Sequence, residues 1–180
     1  MLIRIVAFLL ETVFFVLIAS ALLRAWMNWL RVNMRAQPGS FVMALTDWLV
    51  KPLRRALPKS LTQSRVDWAS VTAAAAFSLV YALLWGVLSG MGFSPMALGM
   101  LLVFALKMLL RVALQTLLVL VLGYAVLSWV QPGSPAYVLL SRLTEPFLAP
   151  LRRVVPMIGG VDLSALALLV LLQIGLMVLG

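Results

Sequence analysis

Four long apolar stretches alternate with two polar, basic stretches along the chain. The apolar stretches cover residues 2–30, 66–92, 93–130 and 161–180, and the polar stretches cover 31–65 and 131–160. The third apolar stretch is too long for one span, because 38 helical residues reach roughly 57 Å against a hydrocarbon core of about 30 Å. We expect it to divide near Lys107 and Arg111. This gives an interfacial or partly inserted piece over about 95–106 and a third span over about 108–130. The pattern predicts an all-α integral membrane protein with four transmembrane helices.

One motif of fourteen residues occurs in both polar stretches. Residues 45–58 read LTDWLVKPLRRALP and residues 143–156 read LTEPFLAPLRRVVP, at a constant offset of 98. Agreement over this length indicates an internal duplication. We assign 1–94 to a first repeat and 95–180 to a second. Each repeat carries two predicted spans, so the two copies are expected to have parallel orientation in the membrane.

The motif has helical periodicity, with apolar positions on one face and charges on the other. Such an element suits the plane of a membrane interface. We expect the motif threonine to act as an N-cap, and the mid-motif proline to break or kink the helix because it lacks a backbone N–H. Each copy should then form two short turns, with the arginine pair opening the second and the last proline ending it. The candidate interfacial or partner-binding residues are Thr46, Pro52, Leu53, Arg54, Arg55, Pro58, Thr144, Pro146, Pro150, Leu151, Arg152, Arg153 and Pro156.

Composition supports the membrane class and excludes several chemistries. The chain is 64% apolar with a mean hydropathy of +1.14, outside the range of ordinary soluble domains. It contains no cysteine and no histidine, which removes disulfides, thiolate nucleophiles, the usual zinc sites, His-ligated haem and Ser-His triads. We therefore expect no enzymatic activity, no cofactor and no metal site.

Charge predicts the orientation. The chain has 14 basic and 5 acidic residues, and with Arg24 counted on the loop side the two polar stretches hold 11 of the 14. Basic loops are retained in the cytoplasm, so both loops are expected there and both termini outside. The positive charge predicts contact with anionic lipid headgroups, and direct nucleic-acid binding is not expected.

Four polar residues lie within or beside the apolar stretches. Glu11 interrupts the first stretch, and Gln115 occupies the matching place in LQT of the third. An ionisable group in a span is costly in lipid and marks a functional site. The alternative is that Glu11 pairs with Arg4 or a neighbouring helix. Asp67 and Asp162 each precede an apolar run, and either ion binding or N-capping would explain them.

The duplicated P-L-R-R-x-x-P, the L-T-acid before it and GGVDLS at 159–164 resemble the YggT family, also called YlmG. These are small bacterial inner-membrane proteins with relatives in cyanobacteria and plastids. The first copy departs from the pattern, because Trp48 stands where the second copy has Pro146, and 59–66 lacks the glycine pair. The resemblance implies a role in osmotic tolerance or potassium homeostasis, or in nucleoid distribution or cytochrome maturation, and implies no catalytic residue.

Two functions remain open at this point. The protein is either a factor for ion or osmotic homeostasis, as an oligomeric channel or an accessory to one, or a non-transporting scaffold. A four-span channel would require a homo-oligomer. A scaffold would recruit membrane or cytoplasmic partners through its paired arginines, for protein assembly, cell division or nucleoid distribution. Plain headgroup anchoring is the alternative for those arginines.

Overall fold

The computed structural model describes residues 1–34, 38–58, 66–90, 94–155 and 162–179. These residues form six helices and no strand. The helices are α1 (Leu2–Trp29), α2 (Gly39–Ala56), α3 (Trp68–Leu88), α4 (Pro95–Val130), α5 (Pro135–Arg152) and α6 (Leu163–Leu179). The chain divides into two compact units, residues 1–112 (unit one) and 113–180 (unit two), so α4 contributes to both. The predicted repeat boundary at 94/95 describes the sequence duplication and stays a prediction.

Three helices have the length and apolar composition needed to cross a bilayer, namely α1, α3 and α4. Helix α6 is equally apolar but shorter, with 17 residues. The all-helical membrane class predicted from the sequence is therefore confirmed for the described residues. The count of four spans stays a prediction.

Helix α4 is continuous over 36 residues, or roughly 54 Å. The predicted break of the helix near Lys107 and Arg111 is therefore wrong, and the assignment of about 95–106 to the interface and about 108–130 to a span stays a prediction. No proline or glycine interrupts residues 100–122, so nothing in the backbone ends the helix there. Both charged side chains lie on the exposed side of α4, while their neighbours Met108 and Val112 are buried in unit one. The charges are thus accommodated without a break.

Unit one is built on an antiparallel hairpin of α1 and α3. Asn28 contacts Asp67 near one end, and the rings of Phe14 and Tyr81 lie 5.6 Å apart nearer the other end. The two residue numbers of each facing pair have the same sum. This is expected when two helices run antiparallel. Buried alanines on α3, such as Ala73, allow close approach of the two helices.

Helix α2 crosses one end of this hairpin. A Cβ on Gly39 would lie 2.7 Å from the Cα of Met34, so the start of α2 is close to the residues that follow α1. Near the other end of α2, Arg54 reaches Asp67 at the start of α3. The side of α2 that packs inward carries Val42, Thr46 and Val50, all buried.

Unit two repeats this arrangement with the second half of α4, α5 and α6. Tyr124 of α4 contacts Asp162 before α6, and a Cβ on Gly175 would lie 3.1 Å from the Leu114 side chain. These contacts make α4 and α6 an antiparallel hairpin. Leu148 of α5 is fully buried against it.

The two motif copies form single helices, which corrects the prediction of two short turns. Thr46 and Thr144 lie in the middle of α2 and α5 and are fully buried, so they are not N-caps. The helices begin earlier, at Gly39 within the first PGS sequence and at Pro135 directly after the second. In α5 the actual cap is Ser134, whose side chain accepts from the Tyr137 N–H.

The prolines inside the motif do not end the helices. Pro52 lies within α2, and Pro146 and Pro150 lie within α5. Each lacks one backbone N–H, and the exposed positions of Pro52 and Pro150 keep their rings away from the core. Pro58 follows the end of α2, as predicted. Pro156 and the Gly159–Gly160 pair lie outside the described residues.

Candidate functional site

In unit two the first arginine of the motif is tied to the aspartate that precedes the next helix. Arg152 donates from Nε and Nη2 to Oδ2 of Asp162, each at 3.0 Å, and from Nη2 to the Tyr124 hydroxyl at 2.9 Å. Its Nη1 donates to Glu145 at 2.8 Å. The three nitrogens of one guanidinium thus connect α4, α5 and the start of α6. We name the Arg152–Asp162 pair clamp two.

Asp162 is held ionised by its surroundings. Its second oxygen accepts from the Ser164 N–H at 3.1 Å and from the Ser164 hydroxyl. Burial raises the pKa of Asp162, but the hydrogen bonds from Ser164 and Arg152 outweigh it, so the pKa lies below its ordinary value. Burial lowers the pKa of Arg152, and the hydrogen bond to Asp162 and nearby negative charge raise it above its ordinary value. The pair is therefore a stable ion pair at neutral pH.

Unit one has the equivalent pair, which we name clamp one. Arg54 Nη2 donates to Oδ2 of Asp67 at 2.9 Å, and Asn28 and the Ser70 hydroxyl donate to the same oxygen at 2.6 and 2.8 Å. Asp67 is also the N-cap of α3, accepting from the Ser70 N–H at 3.3 Å. Burial raises the pKa of Asp67, but the Ser70 bond and the positive charge of Arg54 leave it below its ordinary value. Ion binding by either clamp aspartate would require displacement of its arginine.

A buried arginine joins α1 to α2. Arg24, 5% exposed, donates from Nη1 to the Thr46 hydroxyl and to Asp47, both at 2.8 Å. Lys51 pairs with the other oxygen of Asp47 at 2.7 Å. The Lys51 hydrogen bond, together with Arg24, lowers the pKa of Asp47 against the opposing effect of burial. Sequence reasoning treated Arg24 only as a loop charge and missed this contact. The sequence signal for it was an arginine near the end of an otherwise apolar stretch of helix α1.

The second arginine of each motif is placed differently from the first. Arg55 and Arg153 are exposed, and neither forms an ion pair within the part of the chain that the structure describes. The residues before each pair, Leu53 and Leu151, are partly buried against the cores of their units. Each motif therefore uses one arginine internally and presents the other outward.

Glu11 and Gln115 lie at different heights in their hairpins. Glu11 is three residues beyond Phe14, which faces Tyr81, whereas Gln115 is one residue from Leu114, which faces Gly175. Along its hairpin, Glu11 is farther from Asp67 than Gln115 is from Asp162, by more than one helical turn. Glu11 is exposed and, like Arg111, is within electrostatic range of the Tyr81 hydroxyl. No ion pair joins it to Arg4 within the described residues.

Within the described residues, no three or more His, Cys, Asp or Glu side chains come together to form a group that could hold a metal ion. The clamp carboxylates are engaged by protein donors instead. The arrangement is suited to holding a helix across the end of a hairpin. It supplies no activated nucleophile and no paired acid and base.

A helical membrane protein made of two hairpins, each crossed by an arginine-clamped amphipathic helix, is the class that these features define. The chain belongs to the CCB3/YggT family, whose model matches residues 3–88 and 103–180. The two matched segments correspond to the two copies of the duplication. The resemblance drawn from the motif is thus confirmed.

Similar proteins occur in several bacteria. "Uncharacterized protein in proC 3'region" from Vibrio alginolyticus is 31% identical over 97% of this chain and 92% of its own length. "Uncharacterized protein YggT" from Escherichia coli K12 is 33% identical over 93% of this chain and 85% of its own. "Uncharacterized protein PA0392" from Pseudomonas aeruginosa is 30% identical over 87% and 79%. No solved structure matches the chain.

Proposed function

We propose that this protein spans the bacterial inner membrane four times and contributes to osmotic tolerance or potassium homeostasis as an accessory to transport. In this proposal both motif helices lie at the cytoplasmic interface and both termini lie outside. The observation that supports it is that the two arginines of each motif have different environments, and that the difference is the same in both copies. Arg54 and Arg152 are engaged in clamps, while Arg55 and Arg153 are exposed for headgroups or a partner protein.

The family resemblance supplies the physiological part of this proposal, and the geometry favours an accessory over a pore. A cation path needs carboxylates that are free to exchange ligands with a passing ion. Asp47, Asp67 and Asp162 are each bound by arginine or lysine at the same end of their hairpins. These carboxylates are therefore better suited to holding the fold than to conduction.

The test is complementation of a deletion strain at high osmolarity. Arg55→Gln with Arg153→Gln should reduce growth rescue while leaving the amount of protein in the membrane unchanged, because neither side chain supports the fold. The matched control is Arg31→Gln with Arg142→Gln, which removes two exposed charges outside the arginine pairs. Equal loss in both double variants would mean that only total charge matters. Full rescue by the test variant would remove the role proposed for the exposed arginines.

Topology is tested with single cysteines, because the chain has none of its own. Met96→Cys at the start of α4 should react with a membrane-impermeant thiol reagent in intact cells. Arg153→Cys should react only after the inner membrane is permeabilised. The reverse pattern would overturn the proposed orientation.

A second candidate function is an oligomeric channel, and one observation favours it. Glu11 and Arg111 both lie within electrostatic range of the Tyr81 hydroxyl in the candidate spans of unit one. Such groups in spans mark ion or proton paths. Potassium flux through purified protein in liposomes, abolished in Glu11→Gln, would establish the channel and displace the accessory role.

A further inference from the structure

The exposed face of α2 combines aromatic and basic side chains. Exposed positions recur at 41, 44, 48, 51, 52 and 55, which is one stripe of a helix. Phe41 is 57% and Trp48 62% exposed, and the Lys51 side chain is 67% exposed. Arg55 completes the stripe. The opposite face is buried in unit one, so this stripe is directed away from the core of that unit.

The stripe is positioned for a membrane interface. The Trp48 ring lies 5.6 Å from the Phe77 ring, and Phe77 is ten residues into the apolar helix α3 from Asp67. Trp48 therefore reaches toward the apolar part of the hairpin, while its indole N–H is satisfied by the Leu45 carbonyl at 2.8 Å. Aromatic rings among acyl chains with basic groups at headgroup level are the usual arrangement of an interfacial helix.

Helix α5 lacks most of these features. Leu139, Pro146 and Ala149 stand where α2 has Phe41, Trp48 and Lys51, at the motif offset of 98.

The net charge at the clamped end also differs between the two units, and it is more positive in unit one. Among described residues, five basic against two acidic side chains give +3 in unit one, and three against two give +1 in unit two. The unit-one residues are Arg24, Arg31, Lys51, Arg54, Arg55, Asp47 and Asp67, and the unit-two residues are Arg142, Arg152, Arg153, Glu145 and Asp162. The attraction for an anionic surface is therefore concentrated in unit one.

We propose that the exposed face of α2 is a binding site for anionic phospholipid, and that α5 has no equivalent site. Arg55 and Lys51, which keeps its ion pair with Asp47 and is two-thirds exposed, contact the headgroup phosphate. Phe41 and Trp48 insert among the acyl chains. Arginine binds phosphate oxygens through two parallel N–H donors, and lysine adds a compact charge beside it. The proposal rests on the interfacial placement of α2 proposed above. It goes further in naming the ligand and in assigning it to one repeat.

The experiment measures lipid retention by the full-length protein in native mass spectrometry, with equal amounts of phosphatidylglycerol and phosphatidylethanolamine in the detergent. Lys51→Gln with Arg55→Gln should lower phosphatidylglycerol affinity about 10- to 30-fold and leave phosphatidylethanolamine unchanged. The control, Arg142→Gln, removes an exposed charge from α5 outside its arginine pair. It should change phosphatidylglycerol affinity less than about 3-fold if the site belongs to α2.

A second pair of variants tests the aromatic part. Phe41→Ala with Trp48→Ala should weaken retention of both lipids, because acyl-chain contact does not depend on headgroup charge, while Leu139→Ala in α5 should not. Equal losses from the α2 and α5 charge variants would overturn the assignment to one repeat. Unchanged phosphatidylglycerol retention in all variants, with salt-sensitive capture of an acidic protein, would identify a protein as the ligand instead.

These outcomes are separable from failure of the proposed function. Loss of osmotic rescue with intact phosphatidylglycerol selectivity would contradict the physiological role only. Intact rescue with no selectivity would contradict the lipid site only. A cysteine pattern showing α2 on the outer side would contradict the placement on which both depend.

Discussion

The two units hold equivalent helices with differently distributed contacts. In unit one the contacts are divided among three side chains, because Arg24 binds α2 to α1, Asn28 supports Asp67, and Arg54 closes clamp one through a single nitrogen. In unit two, Arg152 alone reaches Asp162, Glu145 and Tyr124. We therefore expect unit one to tolerate the loss of a single side chain better than unit two, where Arg152 makes most of these contacts.

The packing near the clamped end of the hairpin also differs between the two units. In unit one the rings of Trp26 and Trp29 stack 5.0 Å apart near the clamped end. In unit two a groove of about 120 Å³ lies near that end between α4 and α6, with Asp162 among its lining residues. A duplicated fold can thus keep its frame while its interior diverges.

Acid should have the largest effect, because it acts on both units. The pKa values of Asp47, Asp67 and Asp162 lie below the ordinary value near 3.9, so each carboxylate favours the folded state when ionised. Their stabilisation is complete above that value and is lost as the pH falls through the lower pKa of the folded protein. The melting temperature of the protein in detergent should be level from pH 7 to about 5 and fall below about pH 4. Asp162→Asn should flatten this fall more than Asp67→Asn if unit two depends more on its clamp.

Removing the clamp arginine should destabilise the protein by different amounts in the two units. Arg152→Ala removes four hydrogen bonds to three partner residues and should lower the free energy of unfolding by about 3 kcal/mol. Arg54→Ala should cost about 1 kcal/mol, because Arg54 is half exposed and Asn28 and Ser70 remain on Asp67. Reversible unfolding in mixed micelles measures both values. Equal costs would contradict the distinction between shared and concentrated contacts.

Lysine replacements should also distinguish the two clamps, with smaller losses of stability than the alanine replacements. Arg54→Lys can keep its one contact to Asp67 and should change unfolding by less than about 0.5 kcal/mol. Arg152→Lys cannot span three partners and should cost about 2 kcal/mol, since at least two hydrogen bonds of about 1 kcal/mol are lost. If both lysine variants were as stable as the parent, guanidinium geometry would have no part in clamp two.

Among the residues of clamp two, the smallest expected effect belongs to the tyrosine. Tyr124→Phe keeps the ring stacked on Tyr137 but removes the hydroxyl between Arg152 and Asp162, at a cost of about 1 kcal/mol. Tyr81→Phe in unit one is the matched control, and it should be neutral because Tyr81 makes no hydrogen bond within the described residues. A larger loss from Tyr81→Phe would place an essential polar contact at the other end of unit one.

Periodicity and the repeated motif predicted the class, the duplication and an amphipathic helix. They placed the start of that helix too late, because the motif is repeated from residue 45 while the PGS start signal lies further upstream. The apolar positions of the motif also mixed two surfaces: Leu53 packs inward, whereas Trp48 and Pro52 are exposed. Sequence pattern alone cannot separate a core-facing side from a lipid-facing side, since both are apolar.

The clamps themselves could not be predicted from spacing. Arg54 and Asp67 were both singled out, but for separate roles. Their pairing depends on how the chain returns after α2, which no local pattern specifies. Arg24 and Tyr124 were missed for the same reason, because their partners are 22 or more residues away. The long helix α4 was divided because span length was taken as a limit, whereas backbone hydrogen bonding continues wherever no residue interrupts it.

Each clamp also fixes where the chain leaves one helix and enters the next. Arg54 and Asp67 are 13 residues apart, and Arg152 and Asp162 are 10 apart. A single residue inserted between Thr46 and Arg54 would rotate everything after it in α2 by about 100° and turn the buried side of the helix outward. The same rotation would carry Arg54 away from Asp67, so the register of α2 is set by the clamp at its end.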